Sequence, residues 1–287
     1  MRARTILWTA AGALAGGLIA KLAVTSVIRP RKDIEVPELV PKTDRFPHKD
    51  LDDTLKEYVD KEGLVDYAGL KQDRGGLDRY AALLAKYSPG SHPDLFPTDR
   101  DKLAYWINAY NALTMTGVLA HYPVGSVTHI RPAFGFFRVI KFIVGGEVMS
   151  LDNIEHGIVR PVFQEPRVHF ALNCASMSCP KLPTHAFPGA RLSAELDREC
   201  RSFIAEERNV RVDPAQGKVA LSMIFKWYEG DFLGWLKREK GMQKPSILDY
   251  VKVYAEKDKS AALERPGLRI TYTPYDWRLN DRRTGRG

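Results

Sequence analysis

Cysteine and histidine side chains form the most reactive group in the sequence. Cys174 ends an apolar run, Cys179 follows in the next loop, and His169 lies within the run. A cysteine becomes a nucleophile when a nearby imidazole removes its proton. His156 is the second candidate base, because it comes from a different segment and can approach the sulfur from another side. These residues predict a thiol nucleophile, Cys174, with His156 or His169 as its base.

The spacing of Cys174 and Cys179 leaves three interpretations open. A metal site is the weakest, because structural zinc usually takes four ligands and the sequence has no second cysteine pair. A disulfide across the loop is expected if the protein is exported, and Cys200 would then be an unpaired, buried thiol. The third interpretation is the thiol nucleophile. No motif in the chain predicts a metal or another cofactor.

Two amides on one helix face are candidates for holding an oxyanion. Asn108 and Asn111 lie three residues apart in an otherwise apolar run, so they share a face of a predicted buried helix. A buried amide needs hydrogen-bond partners. The two side chains either bind the backbone of neighbouring loops and fix the packing, or line a cleft and orient a substrate or an imidazole.

A second helix, predicted over 151–162, carries carboxylates, an imidazole and a guanidinium on one stripe. Asp152 and Arg160 each lie four residues from His156, and Glu155 lies beside it. Such spacing is typical of an ion-paired helix face. It also suits a general base that a carboxylate orients, provided that a nucleophile lies opposite.

The position of His169 relative to Cys174 depends on the structure of the run between them. If 168–174 is a regular strand, alternate side chains point to opposite faces, which separates the two residues. His156 is then the better base. A bulge at Asn173 would reverse this preference.

Hydrophobic periodicity predicts the elements that position these residues. Helices are predicted around 51–59, 77–87, 103–121, 151–162, 192–207, 223–239 and 245–257. Strands are predicted around 137–144, 147–149, 168–174, 209–213, 218–222 and 268–272. Helices and hairpins without β-α-β alternation predict an α+β fold, a single globular domain with several helices around a small antiparallel or mixed sheet.

Aromatic residues near the C-terminus have two interpretations. Five of them recur at helical spacing, which is typical of a core. They are Phe225, Trp227, Tyr228, Phe232 and Trp235. Three more follow in the last segment: Tyr272, Tyr275 and Trp277. Together the two groups could instead wall a groove for a peptide or a sugar.

The N-terminal region predicts attachment to a membrane. Residues 6–28 are apolar apart from one lysine and a few hydroxyls, and are long enough to span a bilayer. We expect residues 1–28 to be a retained anchor in the inner membrane, with the body facing the periplasm; export after signal-peptide cleavage is the alternative. Prolines and charges at 29–48 predict an extended linker. The body is then 49–280, followed by a basic tail at 281–287.

The distribution of charge excludes one class of function. The formal net charge is +8, but most of it lies at the two ends of the chain. Without residues 1–32 and 278–287, the chain has 33 basic and 34 acidic residues. A near-neutral body cannot neutralise enough phosphates to bind nucleic acid. We therefore do not expect nucleic acid as a partner. The expected partners are a membrane, through the N-terminal segment, and an unknown peptide or envelope small molecule.

Six segments resemble, in order, the signature blocks of the family of domain of unknown function 547. They are LVDY (64–67), AYWINAYNALTM (104–115), SLDNIEHGIVR (150–160), RVHFALNCASMSCPKL (167–182), LSMIFKWYEGDF (221–232) and YDWRLN (275–280). The resemblance covers the chain from about 49 to 280. It implies that such proteins are often exported or membrane-attached in bacteria, and it brings no assigned activity.

Two functions remain open at this point. The first is a thiol-dependent acyl transferase or hydrolase, similar to a peptidase, that acts on an envelope amide or ester. Its catalytic residues would come from Cys174, His156, His169, Asn108, Asn111 and Glu155. The second is a non-catalytic binding or scaffold module in which the same side chains form a structural cleft. A bond between the two loop cysteines would favour the second function.

Overall fold

The computed structural model of the protein describes residues 26–40 and 42–283. Its α-helices are α1 (Lys49–Tyr58), α2 (Tyr67–Gln72), α3 (Gly75–Lys86), α4 (Asp99–Leu119), α5 (Gly135–Arg138), α6 (Leu192–Ala205), α7 (Met223–Trp227), α8 (Glu229–Lys240), α9 (Ile247–Tyr254) and α10 (Lys257–Leu263). A wider π-type helix spans Asn153–Phe163, and 3-10 turns lie at Pro93–Leu95, Val127–His129, Pro166–Phe170 and Gly189–Arg191. The strands are β1 (Val27–Ile28), β2 (Lys141–Val144), β3 (Glu147–Met149), β4 (Val210–Asp213), β5 (Lys218–Ser222) and β6 (Arg269–Thr273).

The described strands form two small mixed sheets, whereas the sequence predicts one. In the first sheet, β1 is parallel to β2 and β3 is antiparallel to it. Gly145 and Gly146 join β2 to β3 with φ values of +58° and +87°, a left-handed turn that glycine allows without strain. In the second sheet, β4 is antiparallel to β5, and β6 is parallel to β5. The predicted α+β class is confirmed.

Helix α4 runs through the centre of the domain, as its sequence predicts. Thr98 caps it, because its hydroxyl accepts from the N–H of Asp101 while the Asp101 carboxylate accepts from the N–H of Thr98. From Leu103 to Leu119 every residue of the helix is buried. Burial on all sides explains why this run has no polar face.

Two hydrophobic cores meet at one irregular segment. The larger core surrounds α4 and includes β2, and the smaller one lies between α6, α8, α9 and β5. Val168 and Leu172 belong to the larger core, whereas Phe170 belongs to the smaller one. The segment that carries His169 therefore lies between the two cores.

The predicted strand over 168–174 is wrong. Pro166–Phe170 forms a 3-10 turn, which the Glu165 carboxylate caps at its start. Almost the whole run is buried, and an unbroken apolar sequence does not distinguish a buried strand from a buried turn. The alternation that would separate His169 from Cys174 does not apply.

The segment predicted as an extended linker, 29–48, packs against the body. The hydroxyl of Tyr87 accepts from the N–H of Leu39 at 3.1 Å and donates to the carbonyl of Pro37 at 2.8 Å. Phe46 is buried in the larger core. The fold consequently starts earlier in the chain than the sequence predicts.

Most of the predicted membrane segment lies outside the described residues. Only its last three residues, 26–28, are described, and Val27 and Ile28 pair with Lys141 and Phe142 of β2. No helix within the described part of the chain is both long and apolar enough to cross a membrane.

The predicted basic tail starts later than residue 281. Asp281 is buried and accepts a 2.7 Å hydrogen bond from the hydroxyl of Tyr122. Its backbone also bridges to Val65. Asp281 thus belongs to the body.

Replacement of Phe46 by alanine tests whether the segment before α1 is part of the fold. Phe46 packs on Phe96 and Tyr105 with ring centroids 5.7 and 5.0 Å apart. Because Phe46→Ala leaves a cavity, we expect the free energy of unfolding in urea to fall by about 3–5 kcal/mol. Val40→Ala, at an exposed side chain of the same segment, is the control and should change it by less than about 0.5 kcal/mol. Equally small effects would mean that this segment does not fold with the body.

Candidate functional site

One cleft brings together four of the six predicted site residues. They are Glu155, His156, His169 and Cys174. They line a cavity of about 310 Å³ next to α7, which we call the central cleft. Cys179 also lines the central cleft, whereas the two asparagines of α4 do not.

The two cysteines of the cleft form a disulfide. Cys174 is bonded to Cys179, five residues along the chain. Cys200 is a buried thiol on α6, and burial raises its pKa far above the ordinary value. Among the described residues, no group of three or more His, Cys, Asp or Glu side chains could hold a metal ion. A thiol nucleophile at Cys174 would first require reduction of the disulfide.

The C-terminal segment holds the disulfide loop, residues 174–179, in place. Backbone hydrogen bonds of 2.8–3.1 Å run from Met177 N to Arg278 O, from Ser178 N to Asp276 O and from Asn280 N to Ala175 O. Ala175 adopts a left-handed conformation with φ +61°, which is rare for a residue other than glycine. The side-chain oxygen of Asn173 accepts from the N–H of Ala175 at 2.8 Å and supports that conformation. Two motifs that are about 100 residues apart in sequence thus form one unit.

Hydroxyl and backbone groups surround the two sulfurs. The Tyr275 hydroxyl lies 3.3 Å from each sulfur and accepts from the Ser176 hydroxyl at 3.0 Å. The N–H of Cys174 donates to Cys179 Sγ at 2.9 Å. Burial raises the pKa of Tyr275 well above its ordinary value, so this hydroxyl keeps its proton. The hydrogen bonds that the described residues make to the sulfurs come from these groups, and neither cleft imidazole takes part.

Asn111 holds the backbone that precedes the disulfide. Its amide nitrogen donates to the Ala171 carbonyl at 2.9 Å, and its oxygen accepts from the N–H of Asn173 at 2.8 Å. Asn108 holds Phe187 in the same way, with two bonds of 2.9 Å. The packing interpretation of the two asparagines fits this arrangement, because backbone groups occupy both ends of each amide.

His169 is held by an aspartate that the sequence did not indicate. Its Nε2 lies 2.8 Å from Asp231, and Arg160 donates twice to the same carboxylate, at 2.7 and 3.0 Å. Burial lowers the pKa of His169, since the bond to Asp231 offsets only part of the desolvation. Burial alone would raise the pKa of Asp231, but hydrogen bonds from His169 and Arg160 hold it well below its ordinary value. Asp231 lies in an aromatic stretch, two residues after Glu229, and no spacing in the sequence relates it to His169.

Glu155 and His156 lie on the π-type helix that faces this network. Glu155 is buried and accepts a 2.6 Å hydrogen bond from Tyr228, which lies at a break between α7 and α8 where the sequence predicts one helix. The Nδ1 of His156 lies 2.6 Å from Arg160, and its Nε2 lies 3.9 Å from a carboxylate oxygen of Asp152. The predicted stripe of charges is therefore present as an ion-paired face that borders the central cleft.

Aromatic side chains form one wall of the cleft. Trp227, Tyr275 and Trp277 contact one another, with ring centroids 4.5–5.9 Å apart. Phe134 packs on Trp277 at 5.1 Å and completes what we call the aromatic wall. Trp227 and Phe134 are each 44% exposed, whereas Phe225 is fully buried in the smaller core. The core interpretation thus holds for Phe225, whereas a groove for a peptide or a sugar stays a prediction. Phe134 was missed because it lies in a loop without periodicity.

Replacement of Asn111 by alanine tests its role in holding the cleft. Asn111→Ala leaves the Ala171 carbonyl and the Asn173 N–H buried without this partner, so we expect the free energy of unfolding in urea to fall by about 2–5 kcal/mol. Thr114→Val on the same helix is the control, because the Thr114 hydroxyl is buried with no partner among the described residues. That change should be neutral or slightly stabilising. A loss in Asn111→Ala no larger than in the control would contradict the proposed clamp.

The chain was compared with known proteins and families. No curated protein and no solved structure matched it. Residues 96–204 match the model of the family described as "Protein of unknown function, DUF547", a stretch that contains all six predicted site residues. The resemblance is thereby confirmed for the region from α4 to α6, residues 96–204.

Proposed function

We propose that the protein is a non-catalytic binding module whose central cleft holds a peptide segment with a cationic side chain next to an apolar one. The proximity of an exposed aromatic wall to two carboxylates carries this proposal. A bond between the loop cysteines favours a binding module over a thiol enzyme, because it removes the free nucleophile.

The aromatic wall supports an apolar contact with the ligand. Trp227 and Phe134 are each 44% exposed, although burial of an aromatic side chain is worth roughly 1.5–3 kcal/mol. Exposed aromatic rings that line a concave site commonly mark a binding surface. An apolar side chain of a peptide can cover these rings, and a cation can lie over their faces.

The charges of the cleft support a cationic ligand. Asp152 and Glu155 line the cleft, and the one guanidinium of its lining, that of Arg138, pairs with Asp152 at 3.4 Å. Within the described residues, the ion-pair partner of Glu155 is His156 alone, at 3.9 Å. Because Glu155 is buried, its carboxylate has lost water contacts and gains from a cation that enters the cleft.

Membrane attachment remains part of the proposal. Residues 6–25 supply about 20 residues, which is the length that a membrane-spanning helix requires. Since β1 begins at Val27 and residues 29–48 pack on the body, the body would lie close to the membrane surface. We propose that it faces the periplasm, with export after signal cleavage as the alternative.

Calorimetric titration with short peptides tests the proposal. We expect acetyl-Phe-Lys-Phe-amide to bind at least about tenfold more tightly than acetyl-Phe-Glu-Phe-amide, because the lysine neutralises the cleft carboxylates. Glu155→Gln should weaken binding of the lysine peptide by about tenfold. Trp227→Ala should weaken binding of both peptides, because it removes an exposed part of the aromatic wall.

Glu147→Gln is the matched control, since Glu147 is exposed on the β2–β3 hairpin, outside the cleft. It should leave both affinities unchanged. Equal affinities for the lysine and glutamate peptides, or equal effects of the two glutamine variants, would contradict a cationic ligand in this cleft.

A thiol-dependent acyl transferase or hydrolase, acting on an envelope amide or ester, is the second candidate function. One observation favours it: Cys174 is only half-buried and lines the same cleft as His156 and His169. Such an enzyme would be active only with the disulfide reduced, and one imidazole would have to come within hydrogen-bond reach of the sulfur.

Alkylation of the reduced protein separates the two functions. After reduction, we expect iodoacetamide near neutral pH to label Cys174 at a rate that neither imidazole controls, because His169 is engaged by Asp231 and His156 by Arg160. His156→Ala and His169→Gln should then label at the wild-type rate, and Cys174→Ser identifies the labelled site. Rapid labelling that either histidine variant abolishes would favour the enzyme.

A further inference from the structure

We propose that the Cys174–Cys179 disulfide is an exchange site for a thiol-bearing ligand, which attacks Cys174 and releases Cys179. This activity goes beyond peptide binding and does not need it. The proposal rests on the position of the disulfide in the central cleft and on the different surroundings of its two sulfurs.

The two cysteines differ in exposure. Cys174 is half-buried, whereas Cys179 is 4% exposed, and both line the cleft. A thiolate that enters the cleft therefore reaches Cys174 more easily than Cys179. Thiol–disulfide exchange requires direct attack on one sulfur, so accessibility selects the sulfur that is attacked.

The hydrogen-bond donors favour Cys179 as the leaving group. Cys179 Sγ accepts from the N–H of Cys174 at 2.9 Å, whereas the hydrogen bonds described for Cys174 Sγ include no backbone donor. The Tyr275 hydroxyl lies 3.3 Å from each sulfur and donates to Cys179 Sγ, and the Ser176 hydroxyl lies 3.0 Å from Cys174 Sγ. The Ser176 hydroxyl donates in turn to the Tyr275 oxygen at 3.0 Å, which directs the Tyr275 proton toward sulfur. Donors of this kind stabilise a thiolate, and exchange is faster when the leaving thiol has a low pKa.

A cation next to the disulfide loop also favours Cys179 as the leaving group. The guanidinium of Arg208 donates to the carbonyls of Met177, at 2.5 Å, and Cys179, at 3.4 Å. Its positive charge lies next to the backbone of the disulfide loop and is also paired with the Glu206 carboxylate at 2.5 Å. Nearby arginine favours the thiolate over the thiol.

The loop is held without help from the disulfide. Backbone hydrogen bonds from segment 276–280 and the Asn111 amide fix residues on either side of Cys174. The two sulfurs thus stay adjacent after reduction, so that the pair can close again. A disulfide that only stabilised the fold would not need this independent support.

The exchange takes place in two steps. A ligand thiolate forms a bond to Cys174 Sγ, the bond from Cys174 to Cys179 breaks, and the electron pair leaves on Cys179 Sγ. A second thiol of the ligand then attacks the mixed disulfide as its thiolate and releases Cys174. The dithiol ligand is oxidised by two electrons, and the protein disulfide is reduced by two.

Reduced glutathione, a small monothiol, is the probe for the first step. The full-length chain is mixed with it at neutral pH, quenched with acid, alkylated and mapped by mass spectrometry. We expect the folded protein to exchange at least about tenfold faster than the same chain unfolded in urea, with glutathione attached to Cys174. Slower exchange when folded, attachment mainly to Cys179, or a purified chain without this disulfide would each overturn the proposal.

Two cysteine variants test which sulfur reacts. With oxidised glutathione, Cys179→Ser should retain a stable adduct on Cys174, whereas Cys174→Ser should react at least about tenfold more slowly because Cys179 is buried. Cys200→Ala, which removes the buried third thiol, is the control and should exchange at the wild-type rate. Equal adduct formation by the two serine variants would contradict the assigned direction; the wild-type measurement stands if either variant fails to fold.

Tyr275→Phe tests the donor to the leaving sulfur while it keeps the ring in the aromatic wall. We expect exchange with reduced glutathione to slow by about fivefold, which corresponds to one hydrogen bond of about 1 kcal/mol. The pH at which the reduced pair becomes thiolate should rise, which a purely structural role would not produce. Unchanged rate and pH profile would show that Tyr275 does not act on Cys179. Failure of peptide binding would leave this result unaffected.

Discussion

The cleft depends on the hydrogen bonds by which amide side chains of α4 satisfy backbone groups of irregular segments. Buried peptide groups need partners, and a segment that is neither helix nor strand cannot supply its own. Asn111 gives both a donor and an acceptor to the backbone before Cys174, and Asn108 does the same for Phe187. Because α4 is buried on all sides, these contacts allow the wall of the cleft to be irregular and still fixed in position.

A second layer of contacts connects the two hydrophobic cores through the cleft. His169, between the cores, bonds to Asp231 of α8, which also binds Arg160 of the π-type helix. Tyr228 stacks on His169 and donates to Glu155. The polar groups of the cleft thus satisfy one another, and little of their hydrogen-bonding capacity remains for a reaction. This is the physical reason why a binding role accounts better for the histidines than a role as bases for sulfur.

The sequence predicts those parts of the structure that local signals determine. Helix α4 has a capping residue and a long apolar run, and the β2–β3 hairpin has a Gly-Gly turn, so both elements are found. The first strand is shorter than the predicted 137–144, because α5 extends to Arg138 and β2 starts at Lys141. Residues 168–174 were predicted as a strand, although Pro166–Phe170 forms a 3-10 turn. The backbone that follows the turn is bonded by the Asn111 side chain of α4, at Ala171 and Asn173, and no local pattern reveals this partner. The packing of 29–48 depends in the same way on the distant Tyr87, and Asp231 gains its role only when α8 meets His169.

The disulfide adds little to the stability of its loop. Closure of so short a loop gains only about 2 kcal/mol in chain entropy. The backbone bonds from segment 276–280 already fix the same residues, so part of that gain is redundant. Yet the pair lies at the surface of the central cleft, next to the aromatic wall, with one sulfur half-buried and the other supplied with a backbone donor. This bond adds little to stability and lies where a ligand can reach it. Its surroundings therefore suit thiol–disulfide exchange better than a purely structural role.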